Sequence, residues 1–175
     1  DGDRDLGKLI QAARGDEAAV AMARRRAAEY LKLPETKLET EAPYVEKCML
    51  LDQVFRGLMK EADCRAITIN GCMGTIMPMS ETTACLPLST LNDDGFLAFC
   101  ESDFVIIPPG IMLHYVSGKP VFMHNSTFPH KGVMTAAHCS APRRLDGQRY
   151  EPAKIMTHYE SEYGAAPKVE IPVGQ

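Results

Sequence analysis

Twice in its middle third the chain passes from a helix-patterned run into a short apolar strand pattern, and this alternation constrains the fold more than any other feature. Residues 44–62 place Val45, Cys48, Met49, Leu50, Leu51, Val54, Phe55, Leu58 and Met59 on one broad stripe, the spacing that buries one side of a helix. Asp52, Gln53 and Arg56 fall on its polar side. Ala66, Ile67, Thr68 and Ile69 then read as a buried strand that stops at Asn70 and Gly71. Residues 82–91 give a second helix and 95–99 a second strand. Residues 104–116 give a further helix, interrupted near Pro108 and Pro109. Strands linked through helices run parallel with the helices laid over them. Ligands of such sheets gather beyond the carboxyl ends of the strands.

Upstream, residues 6–13 and 16–31 read as helices, with Asp16 placed to cap the second. Residues 32–43 carry two prolines and alternating charges and read as a linker. After Gly118, Lys119 and Pro120 the pattern changes to strands at 121–124, 132–138, 153–159 and 169–173, separated by Pro, Gly and Asn turns. The expected organisation is therefore α/β over residues 1–119 and antiparallel β over 120–175.

With 175 residues, 45% of them apolar, the chain can bury a core, and its formal charge of -4 argues against nucleic acid as a partner. The longest basic run, Arg24-Arg25-Arg26, reads as the solvated face of a helix. No apolar stretch approaches the roughly 18 residues of a membrane helix. The cysteines at 48, 64, 72, 85, 100 and 139 form no CxxC pair and read as reduced thiols of a cytoplasmic protein. An opening on Asp1 and an end at Pro172-Val173-Gly174-Gln175, in what reads as mid-strand, predict a piece of a longer chain.

The chemistry centres on Cys100-Glu101-Ser102-Asp103, directly after the 95–99 strand. A carboxylate there is partly desolvated and suited to act as general base or metal ligand. Glu101 is read in that role, whereas Asp103 reads first as the cap of the helix that follows. His124 and His138 each end an expected strand, and two imidazoles with a carboxylate suit manganese, zinc or iron. His158 ranks behind them, and His114 and His130 read as structural. The string Thr135-Ala136-Ala137-His138-Cys139 matches the surroundings of the catalytic histidine in trypsin-like proteases. None of the 37 residues that follow His138 forms a Gly-Asp-Ser-Gly-Gly segment, and the match reads as coincidence.

Four ordered segments carry a more specific likeness: Ala84-Cys85-Leu86-Pro87-Leu88-Ser89-Thr90-Leu91-Asn92-Asp93-Asp94-Gly95, Cys100-Glu101-Ser102-Asp103, Gly118-Lys119-Pro120-Val121-Phe122-Met123 and Ala137-His138-Cys139-Ser140-Ala141-Pro142. Together they resemble the short sugar-isomerase-like branch of the L-fucose/L-arabinose isomerase superfamily, over roughly residues 45–170. The resemblance implies that 1–119 belongs to a three-layer α/β/α parallel-sheet domain, Rossmann-like in form, and that 120–175 begins an antiparallel β-barrel, here incomplete. It implies a manganese-type ion between them, with zinc as the alternative, a small sugar as substrate, and a homo-oligomer with active sites at subunit contacts, so that this piece alone is expected to be inactive. It also implies aldose–ketose isomerisation through an ene-diol, in which a divalent ion stabilises developing charge and a carboxylate moves the proton.

Carried over by position, Glu101 is the base and a metal ligand and His138 a further ligand. The place of the family's second carboxylate is held by His124 or Asn125, neither of them acidic. Asp103, Asn125 and Glu81 fall toward the substrate, although Glu81 also reads as an acid favoured by a helix N-terminus. Two other readings stand beside the isomerase. One is a non-catalytic sugar-binding or assembly module, favoured by the non-acidic Phe122-Met123-His124-Asn125 segment. The other is a zinc enzyme that uses Glu101, His124 and His138 on a different polar substrate.

Overall fold

The computed structural model describes residues 5–126 and 128–173. The expected mid-strand ending thus falls partly outside the described residues, at Gly174 and Gln175.

Helices α1 (Leu6–Gly15) and α2 (Glu17–Leu31) meet at Asp16. Its carboxylate accepts from the amides of Ala18 at 2.9 Å and Ala19 at 3.3 Å, satisfying donors that the first turn leaves free. Asp16→Ala is expected to cost about 1 kcal/mol in urea denaturation, with Asp16→Asn close to wild type. Equal stability of Asp16→Ala and wild type would remove the cap from the account.

Helix α3 (Ala42–Glu61) is the central element. Ala23, Ala27 and Tyr30 of α2 pack against its Val45, Cys48 and Met49. Its Leu51, Phe55 and Met59 join a second cluster with Leu88 and Leu91 of α5 (Cys85–Asp93). Cover on two sides explains the width of the apolar stripe. It also corrects the reading of Asp52, which is fully buried rather than on a polar face. Arg26 and Arg56 pair with its Oδ2, and the Thr90 hydroxyl donates to Oδ1 at 3.0 Å. A buried carboxylate persists only with such partners.

Strands β2 (Ala66–Thr68) and β3 (Leu97–Phe99) pair in parallel, Ala66 opposite Leu97, as the alternation predicts. The side chain of Asn92, near the end of α5, donates to Ala98 O at 2.8 Å and accepts from Ala98 N at 3.1 Å. A single side chain thus fulfils for β3 what a further strand would.

Between β2 and α5 come a single π-helical turn (Cys72–Ile76) and a short helix α4 (Met77–Ser80). Helix α6 (Ile107–Ser117) begins later than expected, so Pro108 and Pro109 lie in its first turn, where a missing N–H is harmless, and do not interrupt it. It buries none of its residues. Met112, Leu113, Tyr115 and Val116 stand exposed on it.

The strands after residue 120 depart further from expectation. Residues 121–124 are not in a strand, and β4 (Asn125–Ser126) and β5 (Ala136–Ala137) form only a two-residue antiparallel pair. The longest strands are β6 (Ala153–His158) and β7 (Tyr163–Val169), so the last strand ends where 169–173 was expected to begin. β6 pairs antiparallel with β7 and parallel with β1 (Thr36–Leu38), a strand inside the expected linker. β1 was hidden because three residues, two of them exposed, carry no legible period.

The fold is mixed α/β, and none of its sheets among the described residues closes into a barrel. The β1–β6 pairing crosses the expected division at 119/120. So does Arg143, fully buried: its guanidinium donates to Glu151 O at 2.9 Å, Thr36 Oγ1 at 2.9 Å and Pro34 O at 3.1 Å.

Asp93 anchors the same loop. Its Oδ1 accepts from the amides of Arg143 and Arg144, each at 2.7 Å, while its buried Oδ2 takes no hydrogen bond among the described residues. Burial pushes this carboxyl from its ordinary 3.8 up to about 7, against the two amides that favour the charged form. The folded state then holds a proton that the unfolded chain has lost between about pH 4 and pH 7. Stability should therefore fall as pH rises through that window, by on the order of 4 kcal/mol, and level off above it. Denaturation at pH 5 and pH 7.5 checks this, with Asp93→Asn expected to flatten the slope. An identical slope in the variant would assign the pH dependence to other groups.

Candidate metal centre

At the carboxyl end of β3 the chain turns sharply. Cys100 is buried, and Glu101 and Ser102 then adopt left-handed backbone conformations at φ 67° and 45°. Two such residues in succession, neither of them glycine, are costly and hold only where their surroundings fix them. The fixing comes from the end of β2: Thr68 Oγ1 accepts from the Ser102 amide at 3.1 Å and donates to its Oγ at 3.3 Å. The turn thus rests on both parallel strands and faces outward from their carboxyl ends. Asp103 does not cap α6, whose N-cap residue is Ile106 with no side-chain cap bond; its Oδ1 accepts from the Val105 amide at 2.7 Å in the turn before that helix.

This geometry sets Glu101 beside His138. Their Oε1 and Nε2 lie 3.6 Å apart, with 57% of the glutamate side chain exposed but only 4% of the imidazole. Nδ1 of His138 is engaged by Ser140 Oγ at 2.9 Å, which directs Nε2 toward the carboxylate. Burial disfavours the charged imidazole, but Cys139 and Glu101 outweigh it, so the pKa of His138 is raised above its ordinary value. Cys100, Glu101 and His138 each offer a ligand atom, all within 4.8 Å of one another.

A second group adjoins the first. Ligand atoms of Cys85, Cys139 and His158 also lie within 4.8 Å of one another. Cys72 belongs to neither group. Its thiol neighbours Cys100 and Cys85 outweigh burial and hold Cys72 well below the usual thiol range. Cys139 is likewise held low, first by Cys85 and, against burial, by His138. Cys72, together with burial, pushes Cys100 up. Cys139 and Cys72, together with burial, raise Cys85 as well.

Other residues singled out in the sequence lie elsewhere. His124 is exposed, its ring 5.6 Å from that of Phe122, and it belongs to neither group. Asn125 pairs with Ala137 in the β4–β5 ladder, which brings it near His138 in the backbone without placing it in either group. Glu81 is tied to Arg14 at 3.0 Å and Lys47 at 2.8 Å, and those pairings, led by the Lys47 hydrogen bond, keep its carboxyl below the usual range.

The assembly of Cys85, Cys139 and His158 is not legible in the sequence. For lack of a CxxC spacing, the cysteines read there as separate thiols. A better signal was their position at element ends: Cys72 opens the π-helical turn, Cys85 opens α5, Cys100 follows β3 and His158 ends β6. No family model matches the chain, and neither does any curated protein or solved structure.

Proposed function

We propose that the chain carries the reactive half of a metal-dependent aldose–ketose isomerase that acts on a small sugar through an ene-diol. The observation that carries this reading is the Glu101 carboxylate 3.6 Å from Nε2 of His138, beyond the carboxyl ends of two parallel strands. The sequence resemblance implies that same pair.

The donor set fits a divalent transition ion. A carboxylate, an imidazole and a thiol within 4.8 Å suit manganese through the oxygen and zinc through the nitrogen and sulfur. Cys100 thus stands where His124 was expected. Once bound, such an ion would polarise the sugar's carbonyl and hydroxyl oxygens.

The rest falls to the protein. Glu101, exposed enough to meet a substrate, takes the proton from one carbon and returns it to the neighbouring one. His138, oriented by Ser140, holds one side of the site. The strained turn, pinned by Thr68, fixes the carboxylate's place before substrate arrives. In this reading β2 and β3 belong to a three-layer α/β/α sheet, and β4 to β7 to part of an antiparallel barrel, in a cytoplasmic homo-oligomer. The apolar residues exposed on α6 support the oligomer, because a soluble surface rarely leaves such a patch bare.

A non-catalytic sugar-binding module is the second reading, favoured by the exposed His124 at the place of a family carboxylate. Manganese titration of the full-length protein and of its Glu101→Gln variant separates the two. The isomerase reading expects saturable binding in wild type that weakens at least about 10-fold in the variant, the order of a lost ligand interaction. Equal binding, or none, favours the module.

A further inference from the structure

The group formed by Cys85, Cys139 and His158 shares no residue with the site proposed for isomerisation. Its members come from three distant segments: the start of α5, the loop after β5 and the end of β6. Cys85 is 1% exposed and His158 7% exposed, so the group is closed to solvent on two of its sides. Nδ1 of His158 lies 3.0 Å from Ser161 Oγ, which leaves Nε2 as the free ring nitrogen. Serine on one imidazole nitrogen with the other free is how a ligating histidine is held in place. A slip in the β6–β7 ladder between Met156 and His158, after which His158 faces Tyr163, sets the ring at this end of the sheet.

We propose that Cys85, Cys139 and His158 form a second, structural metal site that takes a zinc-class ion. Two sulfurs and an imidazole are a soft donor set, which selects zinc over manganese or magnesium. Donors around a tetrahedral zinc ion stand roughly 3.8 Å apart, so a group already within 4.8 Å closes on the ion with small side-chain movements. On binding, a ligating thiol that is still protonated gives its proton to solvent, and the thiolates offset the ion's charge.

The location explains why the fold would use such an ion. Residues 131–137, just before the site, are all exposed. An ion on Cys139 pins that segment to α5 and β6, and so fixes His138, its neighbour in sequence, against Glu101. The site goes beyond the isomerase reading and does not depend on it.

The test is zinc content of the full-length protein after exhaustive dialysis, for wild type, Cys85→Ser, His158→Ala, Glu101→Gln and the exposed-cysteine control Cys64→Ser. One zinc per chain is expected in wild type, Glu101→Gln and Cys64→Ser, and loss of that zinc in Cys85→Ser and His158→Ala. Peptide mapping after iodoacetamide keeps the test decisive if those two variants do not fold. In wild type, zinc should shield Cys139 from alkylation while the exposed Cys64 reacts, and a chelator should remove the shielding. Zinc-free wild type, zinc retained by folded Cys85→Ser and His158→Ala, or a Cys85–Cys139 disulfide in the purified protein would overturn the proposal. Loss of zinc in Glu101→Gln alone would do so too, because it assigns the ion to the other group. Failure of the isomerase reading is seen separately, in the manganese titration.

Discussion

Replacing Glu101 with glutamine is expected to lower aldose–ketose interconversion by about 100-fold to 10,000-fold, the range that a positioned general base supplies. Glutamine keeps the shape and hydrogen-bonding reach of the side chain but cannot take a proton. The loss should fall mainly on kcat. Any rise in KM would report the weaker hold on the metal that an uncharged ligand gives. Glu101→Asp provides the contrast: it keeps the charge but withdraws the carboxylate by one methylene from a site where His138 stands 3.6 Å away. It should retain metal better than Glu101→Gln while still losing rate, since proton transfer is sensitive to displacements of about 1 Å. Steady-state assays with a panel of aldoses and ketoses, with saturating manganese and then zinc, measure both effects.

Arg143→Ala is expected to destabilise the fold by about 3–5 kcal/mol, the scale of opening a core cavity and leaving buried acceptors unpaired. The fully buried guanidinium donates to Glu151 O, Thr36 Oγ1 and Pro34 O, and lies 5.4 Å from the Tyr30 ring centroid and 5.6 Å from that of Tyr150. Truncation leaves those acceptors buried and unpaired and opens a cavity between the β1 strand and the loop that leads into β6. Lysine is expected to recover only part of the loss, because one ammonium cannot span three acceptors that a planar fork reaches together. Guanidinium denaturation measures both variants. A cost below about 1 kcal/mol for alanine would mean that the network adds little to stability.

Residues whose burial follows a period were legible in the sequence. α3 announced itself through a long apolar stripe, β2 and β3 through apolar runs flanked by Gly and Asn, and Asp16 through its place before an alanine-rich helix. Elements fixed by distant partners were not. β1 is a strand only because β6 lies beside it. Asp52 sits at a polar position of its own helix, yet Arg26, Arg56 and Thr90 bury it.

The candidate site divides in the same way. Glu101 and His138 were legible because each follows an apolar segment with a functional side chain at its end. The thiol group was not, because its members lie at long and irregular spacings that only the folded chain brings together. His124 shows the opposite error. It sits at the position that the resemblance assigns to a ligand, but the segment expected to aim it as a strand, 121–124, does not form one.

The central claim is that Glu101 moves a proton between adjacent carbons of a sugar. The most direct measurement is incorporation of solvent deuterium, followed by NMR of aldose and ketose incubated in D2O with the manganese-loaded full-length protein. The account predicts deuterium at the carbon that receives the proton in wild type, appearing with or ahead of net conversion, and its loss in Glu101→Gln at full metal occupancy. Interconversion without solvent deuterium in wild type, or equal deuterium incorporation by Glu101→Gln, would contradict it.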